Sequence, residues 1–193
     1  MGFRYLKVSS TLMLVVVALI LFTSPAMAPC WARPQLSGEK TTEHPWAQPI
    51  AFFIHQYNPH MSQNEVDEIV KAVMASSEEY KLDPRLMIAL IAVESGFERR
   101  AVSSRGARGL TQITPDKCQE QDWTNVYHNV SKGTAYLKEQ IKAFPSVSMA
   151  LAAYNAGPGR ARMGPQYYPR ETRLYIKKVL SIYESLLQTT STS

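Results

Sequence analysis

Glu94 closes an uninterrupted apolar run, Leu86-Met87-Ile88-Ala89-Leu90-Ile91-Ala92-Val93, and a carboxyl group in that place can do acid chemistry. Apolarity around a whole helix implies burial on every side, and burial makes a carboxyl hold its proton more tightly than it does in water. Both ends of the helix are marked: Asp83 can cap the first turn, Pro84 suits the first helical position, and Gly96 can supply a left-handed stop. Glu94 then falls in the last turn, where the helix dipole also opposes a negative charge. A carboxylic acid tuned upward in this way can protonate a leaving oxygen near neutral pH, as glycosidases do. The alternative is structural, with the side chain reaching solvent past the helix end or pairing with Arg99, Arg100 or another base.

Retaining and inverting glycosidases need a second carboxylate, roughly 5 to 9.5 Å from the first. None is convincing here. Glu98 lies beyond Gly96 and beside Arg99-Arg100, a solvated pattern, and Asp116 and Glu120 sit in polar surroundings. An enzyme with one carboxyl can still work if the sugar's own acetamido group stands in for the second.

Further segments follow in order: Glu94-Ser95-Gly96-Phe97, Ala101-Val102-Ser103, Gly106-Ala107, and Gly109-Leu110-Thr111-Gln112-Ile113-Thr114-Pro115. Later come Ala150-Leu151-Ala152-Ala153-Tyr154-Asn155-Ala156-Gly157-Pro158-Gly159 and Glu171-Thr172-Arg173-Leu174-Tyr175. Taken together, over roughly residues 65–187, they resemble the catalytic domain of the soluble lytic transglycosylases, the goose-lysozyme-like enzymes that cleave bacterial peptidoglycan. The resemblance implies a mostly α, lysozyme-like, two-lobed domain with a groove between the lobes; no cofactor is expected, and two cysteines without a histidine pair at ligand spacing give no metal-site signal. It also implies that Glu94 alone serves as acid and then base, leaving a 1,6-anhydromuramyl end.

Site roles follow from the same resemblance. Tyr154 would make a hydrogen bond near the catalytic carboxyl and Asn155 would orient it. Ser103 and Gln112 would contact the acetamido and neighbouring groups of the glycan, and Glu171 would close the groove on glycan or peptide. Read alone, Asn155 is a helix C-cap, Ser103 a turn residue, Gln112 a surface polar and Glu171 a first-turn helix stabiliser. The family's usual methionines are Thr111 and Thr114 here, which would make that part of the groove more polar; Thr114 could instead cap a helix at Pro115.

The elements that must hold these residues are helical. A short helix is expected over 50–57, and Ser62-Gln63-Asn64-Glu65 is a capping box opening a helix to about Lys81. The Glu94 helix follows, then a glycine-punctuated stretch over 96–128 with a short helix after Thr114-Pro115. Three more helices are expected over 129–144, 146–156 and 170–187, from apolar residues at helical spacing. About 140 residues in five or six helices make one core. The domain is therefore placed at 49–188, with residues 189–193 as a disordered tail.

Residues 1–28 read as a secretory signal: Arg4 and Lys7, an apolar core, then Ala26-Met27-Ala28. This places the enzyme in the periplasm or outside the cell. With no charge between Lys7 and Arg33, an uncleaved membrane anchor is the alternative. Residues 29–48 read as an extended arm. In an oxidising compartment Cys30 and Cys118 can pair or remain two free thiols. The formal charge is +5, and removing Arg4 and Lys7 with the signal leaves +3. That mild, dispersed basic excess fits an anionic wall, and it shows no nucleic-acid-binding pattern.

Three readings of different class remain: a lytic transglycosylase, a lysozyme-type hydrolase on the same fold, or a non-catalytic component of an envelope-spanning machine. The expected partners are peptidoglycan glycan strands, with an envelope-machine protein as a further candidate, acting on a monomeric enzyme.

Overall fold

The computed structural model describes residues 44–114 and 123–189. The signal segment, most of the arm, both cysteines, Asp116, Glu120, the helix expected after Pro115 and residues 190–193 lie outside them. The described chain forms helices α1 (Ala47–Tyr57), α2 (Gln63–Tyr80), α3 (Pro84–Glu94), α4 (Val126–Ala143), α5 (Val147–Ala156), α6 (Pro158–Arg162) and α7 (Arg170–Thr189). A short 3₁₀ turn, Pro165–Tyr167, precedes α7.

Helix α3 is the hub. Its residues from Leu86 to Ala92 are all buried, and its five large side chains alone stabilise the fold by on the order of 10 kcal/mol on an extended-chain reference. Helices α1, α2 and α7 pack against it. On the other side α4 packs on α2, and α5 joins α4 to α7. The tight approach of α5 comes from Ala150, Ala152 and Ala153, which are fully buried and small.

Caps set the boundaries. Ser62 and Glu65 form the expected capping box, with the Ser62 N–H donating to Glu65 Oε2 at 3.0 Å. The Asp83 side chain accepts the Arg85 N–H at 2.9 Å, and Pro84 opens α3 as expected. Helix α4 begins at Val126 rather than 129, because Asn125 caps it by accepting the His128 N–H at 2.9 Å. Helix α1 starts three residues before the expected position, and α6 and the 3₁₀ turn were not expected at all; the Gly157-Pro158-Gly159 punctuation hid them.

The chain leaves α3 through two successive left-handed residues, Gly96 at φ 59° and Phe97 at φ 68°. Glycine takes that conformation without strain, but phenylalanine does so at a cost of about 1–2 kcal/mol. Burial offsets it: the Phe97 ring is 2% exposed and meets Tyr57 edge-on at 5.6 Å and Phe53 at 6.4 Å. Asn58 Nδ2 donates to the Gly96 carbonyl at 3.2 Å and ties the turn to the end of α1.

Candidate active site

Glu94 is half-buried at the last residue of α3. The Tyr175 hydroxyl donates to its Oε1 at 2.7 Å across α7. Tyr175 is 7% exposed; burial pushes its phenol well above the ordinary value of 10, and the nearby Glu94 charge adds to the shift. A phenol held neutral is a permanent O–H donor. The structural alternative of an Arg99 partner does not hold, since Arg99 pairs with Glu68 at 3.0 Å. Glu98 is exposed, and its Oε1 accepts the Arg100 N–H at 3.0 Å.

Tyr154 sits beside this pair but bonds elsewhere. Its hydroxyl donates to the Thr111 carbonyl at 2.8 Å, a hydrogen bond near the carboxyl rather than to it, while Tyr175 donates to the carboxyl itself. Burial, and then the charge of Glu94, push Tyr154 well above 10 as well. Its ring tilts against Tyr136 at 5.1 Å. Residue type in the Glu171-Thr172-Arg173-Leu174-Tyr175 segment points to Glu171 rather than to Tyr175. The usable signal was the four-residue spacing, which puts the two on one face of a helix.

Thr111 does not line a groove. It is fully buried, its N–H and hydroxyl both donate to Asn129 Oδ1, at 2.9 and 3.0 Å, and Asn129 Nδ2 donates to the Arg108 carbonyl at 3.1 Å. The exchange from methionine therefore makes a buried joint polar, not the groove. Gly133 faces this joint from α4, where an added Cβ would collide with the Thr111 side chain. Asn129 and Gly133 went unnoticed in the sequence. A glycine inside an 18-residue helix was the signal, because it costs about 1 kcal/mol without a packing reason.

The joint holds the loop that carries two other expected residues. Ser95 Oγ donates to the Leu110 carbonyl at 2.8 Å, joining the loop to the end of α3. Gln112 is left-handed, at φ 48°, and its Nε2 donates to the carbonyls of Gly109 and Ala101 at 3.0 and 3.1 Å. Its amide nitrogen is thus spent on the loop, and its carbonyl oxygen is the atom left for a ligand. Ser103 Oγ accepts the N–H groups of Ala107 and Arg105, at 3.0 and 3.3 Å, and keeps its own proton to donate. Asn155 is half-buried, with Oδ1 accepting from Thr172 Oγ1 at 2.9 Å, which leaves its amide N–H₂ to donate. Glu171 is exposed in the first turn of α7. Among the described residues no three His, Cys, Asp or Glu side chains gather as a metal site.

The Transglycosylase SLT domain family profile matches residues 71–176, which hold Glu94, Tyr154 and Tyr175 alike. This chain belongs to that family. A transglycosylase of the Enterobacteria phage PRD1 is 34% identical over 113 residues, covering 57% of this chain and 41% of its own length. Membrane-bound lytic murein transglycosylase F of Enterobacter sp. (strain 638) is 31% identical over 104 residues, 48% of this chain and 20% of the relative. The chain thus spans 41% and 20% of the length of these relatives. The same fold occurs in an inactive mutant of the lytic transglycosylase Slt from Pseudomonas aeruginosa, with a TM-score of 0.57, 23% identity and coverage of 78% of this chain and 29% of that one. It occurs again in the 70 kDa soluble lytic transglycosylase of Escherichia coli, with a TM-score of 0.59, 21% identity and coverage of 77% and 30%. The mostly helical SLT domain of this chain is therefore lysozyme-like in fold.

Proposed function

We propose that this SLT domain cleaves the β-1,4 bond between N-acetylmuramic acid and N-acetylglucosamine in peptidoglycan, as a lytic transglycosylase with Glu94 as its one acid and base. The observation that carries the reading is the Tyr175 bond to Glu94 Oε1, which fixes a half-buried carboxyl at the end of a rigid helix.

Glu94 first gives its proton to the glycosidic oxygen as the bond to the muramyl C1 breaks. The muramyl acetamido oxygen stabilises the positive charge developing at C1. The Glu94 carboxylate then takes the proton of the muramyl C6 hydroxyl, whose oxygen closes on C1. The acid is regenerated and no water is consumed. Tyr175 assists because a hydrogen bond to a charged acceptor is stronger than one to a neutral acceptor, so its hold tightens while Glu94 is ionised between the two transfers.

In this scheme the Gln112 oxygen, the Ser103 hydroxyl and the Asn155 amide orient the sugar, Tyr154 keeps the Thr111 loop in register with the carboxyl, and Glu171 borders the groove. Residues 1–28 deliver the domain to the wall side of the membrane, and a partner protein of the envelope restricts where it acts. Digesting purified sacculi and identifying the new ends by mass spectrometry tests the chemistry. Anhydromuramyl ends are expected from the unsubstituted protein and none from Glu94→Gln; reducing ends would make the enzyme a hydrolase, and near-normal turnover by Glu94→Gln would remove Glu94 from the mechanism.

A further inference from the structure

Thr172 lies three positions before Tyr175, so the two hydroxyl groups stand on the same side of α7. Tyr175 donates to Glu94 at the end of α3. Thr172 donates to Asn155 Oδ1 near the end of α5, at 2.9 Å. One turn of α7 thus touches both the acid and Asn155.

An amide side chain can offer either its oxygen or its N–H₂ group to a ligand, because a half-turn about its last bond exchanges the two. A hydroxyl can donate or accept, so contact alone does not fix the choice. Burial fixes it. Thr172 is 2% exposed, and a buried hydroxyl proton must go to a protein acceptor. A helical threonine can give it to a carbonyl three or four residues back, but both of these are engaged by Arg173. The Pro169 carbonyl accepts the Arg173 N–H at 3.1 Å, and the Tyr168 carbonyl accepts from the Arg173 guanidinium. Asn155 Oδ1 is the acceptor that takes the Thr172 proton. The amide oxygen is therefore held toward α7, and the N–H₂ group is left on the opposite side.

We propose that Thr172 is a positioning residue, whose buried hydroxyl locks the Asn155 amide so that only its N–H donors face the substrate. This rests on the transglycosylase reading, in which the Asn155 amide orients the sugar. With the lock in place Asn155 meets an acceptor oxygen of the sugar. An amide released from Thr172 turns its own oxygen outward for part of the time, and that oxygen repels the same acceptor. Fixing the amide before the sugar arrives also removes an ordering cost from binding. The effect belongs to the hydroxyl of Thr172 and not to its methyl group. Because Thr172 and Tyr175 share one turn, a single helix holds the acid and the donor in a common frame.

A double-mutant cycle read in two assays tests this. Thr172→Val keeps the volume and removes the hydroxyl, Thr172→Ser keeps the hydroxyl and removes the methyl, and Asn155→Ala removes the amide. Each is made in the full chain for fragment release from sacculi, and again with Glu94→Gln for co-sedimentation with sacculi. Thr172→Val is expected to lower both by about three- to tenfold, the scale of one neutral hydrogen bond, while Thr172→Ser stays within about twofold of the unsubstituted protein. In the Asn155→Ala background Thr172→Val is expected to have no further effect, as for two residues that act as a unit. Thr172→Ala repeats the cycle without the second methyl of valine, so that a clash at that methyl does not imitate the result. Full function in Thr172→Val overturns the proposal. So does a loss in Thr172→Ser equal to that in Thr172→Val, or losses that multiply in the double variant, either of which assigns Thr172 to packing. Absence of fragment release from the unsubstituted protein would sink the transglycosylase reading instead, and the co-sedimentation cycle would still decide the role of Thr172.

Discussion

The Tyr175 hydroxyl lies 2.7 Å from Glu94 Oε1, although 81 positions separate the two residues. This contact joins the end of the central helix to the first half of the last one. It holds one oxygen of the carboxyl, and Tyr175→Phe removes the donor while keeping the ring. A hydrogen bond to a charged group contributes about 1.5–3 kcal/mol. If that bond is strongest when Glu94 is ionised, fragment release from sacculi falls by about 10- to 150-fold. The circular dichroism spectrum is expected to be unchanged, and a variant with full activity would assign Tyr175 to packing alone.

The buried joint between Thr111 and Asn129 sets the loop that carries Gln112. Asn129→Ala would leave the Thr111 N–H without its acceptor and the Arg108 carbonyl without its donor. Buried groups orphaned in this way cost about 1–3 kcal/mol each, so urea unfolding is expected to show a loss of about 2–5 kcal/mol. Gly133→Ala acts on the same joint by overpacking, at about 1–3 kcal/mol. Stability within 0.5 kcal/mol of the parent in both variants, roughly the scatter of surface substitutions, would show that the loop is held elsewhere.

Alkaline pH should weaken the fold through its tyrosines. Burial, followed by the Glu94 charge, raises Tyr154 and Tyr175 well above 10 in the folded state, whereas in the unfolded chain they titrate near 10. Above that pH the unfolded state binds fewer protons, so stability is whole below about pH 10 and falls as pH rises further. Urea midpoints measured between pH 8 and 11 are expected to decline, with a shallower slope in Tyr175→Phe. Equal slopes in the two proteins would count against a buried neutral phenol at this position.

Acid should act at the opposite end of the same helix pair. Burial alone would raise Asp83, but hydrogen bonds from Arg85 and Tyr183 outweigh it and hold the carboxyl below its ordinary value. Its contribution is therefore present above the unfolded value of about 3.9 and is lost as pH falls through the lower folded one. Asp83→Ala also removes the α3 cap, worth about 1–2 kcal/mol at neutral pH, and should leave a flatter stability profile between pH 5 and 2. A profile as steep as the parent's would place the acid sensitivity in other carboxyls.

Much of the fold was legible because local rules wrote it. Ser62 with Glu65, Asp83 with Pro84, and Ser146 before Val147 each announce a helix start that depends on a few adjacent residues. Where punctuation was ambiguous, reading failed: the first turn of α4 was missed because Asn125 looked like loop, and α6 because glycines flank its proline. Thr111 misled for a different reason. Its position in a polar, glycine-rich stretch suggests exposure, but Gly133 and Asn129 enclose it from a helix that begins fifteen positions later at Val126.

The sequence by itself determined the helical class, the central apolar helix and the candidate acid at its end, because capping, periodicity and an apolar run are properties of neighbouring residues. Only the tertiary structure decided which tyrosine bonds to that carboxyl. Tyr154 and Tyr175 are both buried phenols near Glu94, and the packing of α7 along α3 brings Tyr175 to the carboxyl. The position of Thr111 gives Tyr154 a backbone carbonyl instead. Hydrogen-bond partners are set by ångström-scale placement of distant segments, and residue type and spacing do not encode that placement locally.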